Sequence, residues 1–178
     1  PVSVWETVMG GRYGHMRHDP LWRRLLPARW YDTRHVEAVE RALEAVDMLA
    51  LAKRPIGALS GGQKKRVLLA RTLAQQANIL LLDEPLAGVD PPSERLILDV
   101  LAGEREAGRT VIMVTHDMPG ARRHVDHVVL INRFIRGVGS PDEMLSDAKL
   151  AELAVSSTEQ SANDVQVEQP ASFTAAQG

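Results

Sequence analysis

The order of apolar and polar residues along the chain predicts alternating helices and short strands. One predicted helix carries apolar residues every three or four positions, at Val36, Val39, Leu43, Val46 and Ala50. A second helix is predicted from about Gly61 to Gln75. Three short apolar runs, at 79–82, 111–114 and 128–131, are typical of buried strands. The alternation of strand and helix indicates an α/β domain with parallel strands.

The segment between the first two apolar runs carries the marks of a helix with defined ends. Asp90 can cap that helix, Pro91 suits its first turn, and Gly108 can end it. The run Ile79 to Leu82 has no polar side chain. We therefore expect this strand to lie in the centre of a sheet with both of its faces covered.

Composition narrows the classes of function. The 178 residues suit one domain, and 44% hydrophobic with 25% charged residues allow a packed core. A net charge of −2 gives no general attraction to nucleic acid, and the lack of cysteine excludes disulfides and thiolate metal sites. The longest apolar run, Met48 to Ala52, is far shorter than the ~20 residues that span a bilayer.

The first candidate site is the start of the second predicted helix, Leu59-Ser60-Gly61-Gly62-Gln63. Glycines at a helix N-terminus let backbone N–H groups approach a phosphate closely, and the helix dipole favours its negative charge. The same residues also suit a plain capping box, in which the Ser60 and Gln63 side chains each accept from the other's backbone N–H. From these residues alone, both interpretations stay open.

The second candidate site lies at the ends of the first two predicted strands. Asp83 and Glu84 follow the first strand, and His116 follows the second. The carboxyl ends of parallel strands lie at one edge of a sheet, where open α/β sheets bind ligands. There Asp83 can hold Mg²⁺ through water, Glu84 can polarise an attacking water, and His116 can donate to a terminal phosphate. Each residue is also compatible with an ordinary strand end.

Taken in order, these motifs resemble the nucleotide-binding subunits of ABC transporters. Leu59 to Gln63 is similar to the family signature, and Ile79 to Glu84 is similar to Walker B with its catalytic glutamate. Ala87 to Asp90 is similar to the D-loop, and His116 to the switch histidine. The resemblance runs from Pro1 to about Leu145.

The resemblance implies an α/β fold of the P-loop NTPase-like ABC ATPase type, present in part. Residues 1–62 would form a helical subdomain that ends in the signature, and residues 63–155 would form the second half of the parallel-sheet catalytic core. Residues 156–178 contain neither Lys nor Arg and are expected to be a disordered, flexible tail.

The resemblance also implies a head-to-tail homodimer that holds ATP and Mg²⁺ between its subunits. Asp83 would hold the Mg²⁺, while Glu84 as base and His116 as the contact to the γ-phosphate would act on the nucleotide of their own subunit. Asp90 would cross the dimer interface. The signature residues would contact the nucleotide held mainly by the partner: Ser60, Gly61, Gly62 and Gln63.

Two family motifs, the phosphate loop and the Q-loop glutamine, have no match in these 178 residues. Nothing corresponds to the phosphate loop, G-x-x-x-x-G-K-[ST], whose Lys and Ser/Thr hold the phosphates and Mg²⁺ in the family. The stretch Pro1 to Val4 is similar to the residues that follow the family's Q-loop glutamine. We therefore expect a chain that is truncated upstream and cannot hydrolyse ATP alone.

Four segments narrow the resemblance to importers of manganese, zinc or iron: Val8 to His15, Gly57-Ala58, Lys64 to Val67, and Leu86 to Asp90. The implied function is an ATPase subunit at the cytoplasmic face of the membrane that powers uptake of a divalent metal ion. Its partners would be transmembrane permease subunits and, indirectly, an extracytoplasmic metal-binding protein. A siderophore or haem importer stays an alternative, as does a non-catalytic remnant that only docks on partner subunits.

Other classes of protein fit less well. An ABC ATPase of DNA repair would need a long heptad segment, and one of translation would carry two such domains and a charged linker, none of which is found here. His15 with His18, and His124 with His127, have a spacing that suits a metal on a helix. No third ligand accompanies either pair, so we interpret them as surface histidines. No nucleic-acid partner is expected.

Overall fold

The computed structural model describes residues 1–16 and 32–150, and these residues divide into two units after His116. The first unit contains α1 (Val4–Met9), α2 (Thr33–Ala45), α3 (Gly61–Ala74), β1 (Ile79–Asp83), α4 (Pro91–Glu106) and β2 (Thr110–Val114). The second contains α5 (Met118–Ala121), β3 (Val128–Asn132), β4 (Phe134–Gly139) and α6 (Pro141–Met144). The predicted tail, 156–178, and His18 lie outside the described residues.

The three helices α1, α2 and α3 pack around a shared apolar core, which includes Val4, Val8, Val39, Leu43, Val67 and Leu73. Helix α1 begins with a capping box between Ser3 and Glu6. The backbone N–H of Val4, the first residue of α1, donates to the Arg54 carbonyl at 2.9 Å. In return, the backbone N–H of Ile56 donates to the Val2 carbonyl at 3.0 Å. The start of the chain is thereby fixed to the segment that leads into α3.

Strands β1 and β2 are parallel, with Ile79 opposite Thr110 and Asp83 opposite Val114. Helix α4 connects them, with Asp90 as its N-cap and Pro91 at its first position. Gly108 follows the helix with a φ of +85°, a conformation that glycine adopts without strain. The predicted strand–helix–strand unit and both ends of its helix are confirmed.

Only one face of this two-stranded sheet is covered by the described residues. Leu80 and Leu82 are buried in the core beside residues of α3 and α4. The alternate side chains lie on the opposite face and are 46–69% exposed: Ile79, Leu81, Ile112 and Val114. The expectation that β1 is covered on both faces is therefore wrong for the described residues, because α3 and α4 contribute to one layer only.

Two elements differ from the sequence pattern. The predicted helix over 36–50 ends at Ala45 as α2, because Asp47 adopts a φ of +53°; a short 3-10 turn, Leu49–Leu51, follows. The third apolar run forms β3, which pairs antiparallel with β4 rather than joining the parallel pair. None of the helices in the described ranges is long and apolar enough to cross a membrane.

Candidate functional site

The N-terminus of α3 is a complete capping box. The Ser60 hydroxyl accepts from the Gln63 backbone N–H at 3.3 Å, and the Gln63 side chain accepts from the Ser60 N–H at 3.0 Å. The structural interpretation of Ser60 and Gln63 is thus correct. It does not exclude a ligand, because a capping box leaves other N–H groups of the first turn without helical partners.

The two glycines of this turn have different surroundings. Gly61 is exposed, and a Cβ atom there would meet nothing within 4 Å. Gly62 is buried, and its Cβ would lie 2.5 Å from Oδ1 of Asp90 and 3.1 Å from Oγ of Ser93. The first turn of α3 is therefore packed against the first turn of α4 through Gly62, and Gly61 is the glycine that faces solvent.

Asp90 is positioned by the helix that it caps. Its Oδ2 accepts from the Ser93 backbone N–H at 3.2 Å. Hydrogen bonds from the Ser93 side chain and backbone hold the pKa of Asp90 below its ordinary value, because they favour the ionised carboxylate. A negative charge at this helix N-terminus is also favoured by the helix dipole. The structure thus brings the predicted D-loop residue next to the predicted signature.

The carboxyl end of β1 carries Glu84 in an uncommon backbone conformation. Its φ is +46°, in the left-handed region, which costs a non-glycine residue about 1–2 kcal/mol. Three hydrogen bonds hold this residue: its N–H donates to Val114 at 2.9 Å, and its carbonyl accepts from Lys65 Nζ at 2.6 Å and from the Ala87 N–H at 3.3 Å. Pro85, which follows, disfavours the right-handed helical conformation at Glu84.

The side chains of Glu84 and His116 are in direct contact. Oε1 of Glu84 lies 2.6 Å from Nδ1 of His116 and also accepts from the His116 backbone N–H at 3.1 Å. The side chain of Glu84 is 31% exposed and that of His116 is 83% exposed. The carboxylate is thus partly sheltered, while the imidazole faces solvent at the sheet edge.

Asp83 lies at the last position of β1, at the same edge as Glu84. Its carboxylate is exposed and makes no hydrogen bond or ion pair with the described residues. Carboxylate oxygens are the ligands that Mg²⁺ prefers, and Mg²⁺ commonly keeps several waters between itself and the protein. An accessible carboxylate of this kind therefore fits the predicted role of a Mg²⁺ ligand.

Lys65 connects the two predicted sites and was not singled out by the sequence. It lies in the second turn of α3, and its ammonium reaches the Glu84 carbonyl across 19 positions of sequence. The only sequence signal was its place in the basic run Lys64-Lys65-Arg66 directly after the signature. A pattern of charge does not reveal which lysine of such a run meets a backbone carbonyl.

Comparison with known proteins identifies chains that are similar to this one. The protein-family model described as ABC transporter matches residues 3–87. The manganese transport system ATP-binding protein MntA of Synechocystis is 40% identical over 150 residues, which are 84% of this chain and 54% of that protein. The chelated iron transport system membrane protein YfeB of Yersinia pestis is 42% identical over 139 residues, 78% of this chain and 44% of that protein.

Solved structures give the same result. MJ1267, an ATP-binding cassette of an ABC transporter solved in its ADP conformation, superposes with a TM-score of 0.68 and 26% identity. The superposition covers 86% of this chain and 62% of that one. The chain spans about half the length of the curated relatives it matches.

Proposed function

Because the chain belongs to the family of ABC transporter ATP-binding proteins, we propose that it provides the signature, the catalytic carboxylate and the switch histidine of an ATP-hydrolysing subunit. The observation that carries this proposal is the contact between Glu84 and His116, 2.6 Å apart at one sheet edge. Glu84 follows β1 and His116 follows β2, and neither residue belongs to the apolar core.

Glu84 is the general base in this proposal. Its carboxylate can accept a proton from a water molecule that attacks the terminal phosphate, and His116 can donate to the oxygen on which negative charge grows. Asp83 would hold Mg²⁺ through water, and the ion would neutralise charge on the phosphates of bound ATP. The side chain of Glu84 is 31% exposed, so a water molecule can reach its carboxylate, and this supports the role.

The start of α3 serves a second nucleotide in this proposal. In a head-to-tail homodimer, Ser60, Gly61, Gly62 and Gln63 would contact the ATP held mainly by the partner. The exposure of Gly61, with open space around it, supports such an approach. Asp90 would lie near the same interface, since Gly62 packs against it.

We propose import of a divalent metal ion as the work that ATP hydrolysis drives. Support comes from the relatives, whose names refer to manganese and chelated iron transport. The subunit would then bind transmembrane permease subunits at the cytoplasmic face of the membrane, and an extracytoplasmic binding protein would deliver the metal. Within this proposal manganese, zinc and iron are equivalent, because the transported ion does not meet the ATPase subunit. A siderophore or haem importer is the alternative cargo.

A chimera tests the proposed chemistry. The phosphate-loop half of a manganese-transport relative would be joined to this chain in place of the relative's own second half, and ATP turnover would be measured. We expect hydrolysis by the chimera and only background turnover by the 178-residue chain alone. Glu84→Gln in the chimera is expected to keep ATP binding and to lower kcat by at least about 10²-fold, since a general base is removed.

The control for this experiment is Glu44→Gln, which changes an exposed carboxylate on α2. It is expected to leave turnover unchanged. Normal turnover by the Glu84→Gln chimera would show that Glu84 is not the base. Turnover well above background by the unfused chain would contradict the expectation that these residues need a phosphate loop from elsewhere.

A further inference from the structure

Lys65 forms a hydrogen bond between the body of α3 and the backbone of Glu84. Its Nζ lies 2.6 Å from the Glu84 carbonyl oxygen, and the bond is partly buried. Hydrogen bonds from a charged donor are shorter and stronger than neutral ones, and shelter from water strengthens them further. The side chain of the neighbouring Lys64 is exposed and makes no hydrogen bond or ion pair with the described residues, so Lys65 is the lysine of this run whose ammonium is held in place.

The residue that Lys65 contacts needs such support. Glu84 has a φ of +46°, a conformation that its side chain disfavours, and the residue is followed by Pro85. Its N–H is fixed to Val114 of β2. Its carbonyl is directed toward α3 and receives the ammonium. The N–H of Glu84 is thus bonded to β2 and its carbonyl to α3, and its carboxylate contacts His116.

We propose that Lys65 is a positioning residue that holds Glu84 in its left-handed conformation and so sets the place of the catalytic carboxylate. Lys65 and the capping box belong to the same helix, so the ammonium also links the signature turn to Glu84. The functional role of this link rests on the proposed function. In that proposal the signature contacts the nucleotide of the partner subunit, and Glu84 acts on the nucleotide of its own subunit.

The test uses residue-resolved amide hydrogen exchange by NMR on the 178-residue chain, without nucleotide. Lys65→Met removes the ammonium and keeps an unbranched apolar side chain; Lys64→Met is the matched control. We expect the His116 amide, which donates to Glu84 Oε1, and the Glu84 amide to exchange at least about tenfold faster in Lys65→Met, with Leu69 of α3 unchanged. Lys65→Arg, which keeps a cationic donor, is expected to restore slow exchange.

Three results would overturn the proposal: unchanged exchange at Glu84 and His116 in Lys65→Met, an equal rise at Leu69, or the same rise in Lys64→Met. An equal rise at Leu69 would mean that Lys65 merely stabilises the helix. The ¹⁵N shift of His116 Nδ1 gives an independent signature, because its bond to Glu84 should weaken in Lys65→Met and recover in Lys65→Arg. No ATP turnover is involved, so failure here is distinct from failure of the chimera.

Discussion

Single residues in the signature turn have separable roles, and Gly61 and Gly62 illustrate this. Gly62 is glycine because the N-cap of α4 occupies the space where a side chain would be. Gly61 has no such neighbour among the described residues. The fold therefore requires the second glycine, whereas the first leaves open space for something that approaches the helix from solvent.

Alanine substitutions distinguish these roles. Gly62→Ala should lower the free energy of unfolding by about 1–3 kcal/mol, because its Cβ displaces Asp90 and forces the two turns apart. Gly61→Ala should not destabilise the fold, because alanine is the better helix former. Urea denaturation of both variants of the 178-residue chain measures the difference. Equal losses in the two variants would contradict the packing described for Gly62.

Sequence reasoning could predict the capping box at this turn but could not distinguish its two glycines. Ser60 and Gln63 lie three positions apart, which is local information. The contact between Gly62 and Asp90 joins residues 28 positions apart and exists only after α3 and α4 pack. Lys65 and Glu84 present the same difficulty, since a backbone carbonyl leaves no trace in a pattern of side chains.

Three helices of the first unit have a carboxylate in their N-terminal cap, which makes their stability sensitive to pH. Asp32 caps α2 and Asp90 caps α4, and Glu6 closes the capping box of α1. Hydrogen bonds from Arg34 lower the pKa of Asp32, those from Ser93 lower the pKa of Asp90, and those from Ser3 lower the pKa of Glu6. All three carboxylates therefore stabilise the folded chain in their ionised form.

The sign of the pH dependence follows from these directions. A carboxylate with a folded pKa below its unfolded value contributes stability above the unfolded pKa and loses it as pH falls through the folded pKa. For Asp90, whose ordinary value is 3.8, the loss begins near that pH and continues below it. We expect the stability difference between the wild-type chain and Asp90→Asn to be greatest at neutral pH and to shrink below about pH 4.

Urea denaturation across this pH range measures the effect, with Asp99→Asn as control because Asp99 is exposed in the middle of α4. A difference between wild type and Asp90→Asn that stays constant with pH would contradict the ionised cap.

Element prediction succeeded where local signals mark the ends of an element. Helices α3 and α4 and strands β1 and β2 lie where their caps and apolar runs predict them. Strand β4 was not predicted, because Arg136 and two glycines interrupt its apolar residues and its pairing with β3 is a contact between segments. The end of α2 was also misplaced, since the apolar stripe continues into a 3-10 turn.

Across the whole first unit, Arg12 joins α2 to the end of α3 through a buried guanidinium. It donates to the Ala74 carbonyl at the end of α3 and to Oε1 of Gln76, both at 2.8 Å, and to Nδ1 of His35 on α2 at 3.2 Å. Burial, followed by the positive charges of Arg34 and Arg41, lowers the pKa of Arg12. The charge is thus held by neutral acceptors, which would lose their donor if Arg12 were replaced.

Replacing Arg12 should therefore affect the whole unit. Arg12→Leu removes the charged donor from the buried Ala74 carbonyl and from Oε1 of Gln76, and we expect a loss of about 2–4 kcal/mol in the free energy of unfolding. Arg41→Leu, at an exposed position of α2, is the control and should change stability by less than about 0.5 kcal/mol. Chemical denaturation measures both. Similar small losses in Arg12→Leu and Arg41→Leu would mean that the hydrogen bonds of Arg12 do not stabilise the packing of the helices.

At this scale the sequence could predict the class of fold and the edge of the sheet where the polar side chains gather, because the strand–helix–strand alternation predicts that β1 and β2 are parallel. It could not predict that one face of β1 and β2 stays exposed in the described residues. An all-apolar strand specifies that both faces favour apolar neighbours, but it does not specify which residues provide them. The predicted subdomain boundary between residues 62 and 63 stays a prediction.

The bond from Lys65 to Glu84 ends on a backbone carbonyl, and this has a consequence for how the site can vary. Every amino acid has the same backbone carbonyl, so the hydrogen bond from Lys65 does not depend on residue 84 being a glutamate. A substitution at position 84 would remove the carboxylate and leave the hydrogen bond to the backbone carbonyl intact. A family of proteins could in this way lose or regain chemistry at position 84 by a single substitution, without rebuilding the surrounding architecture.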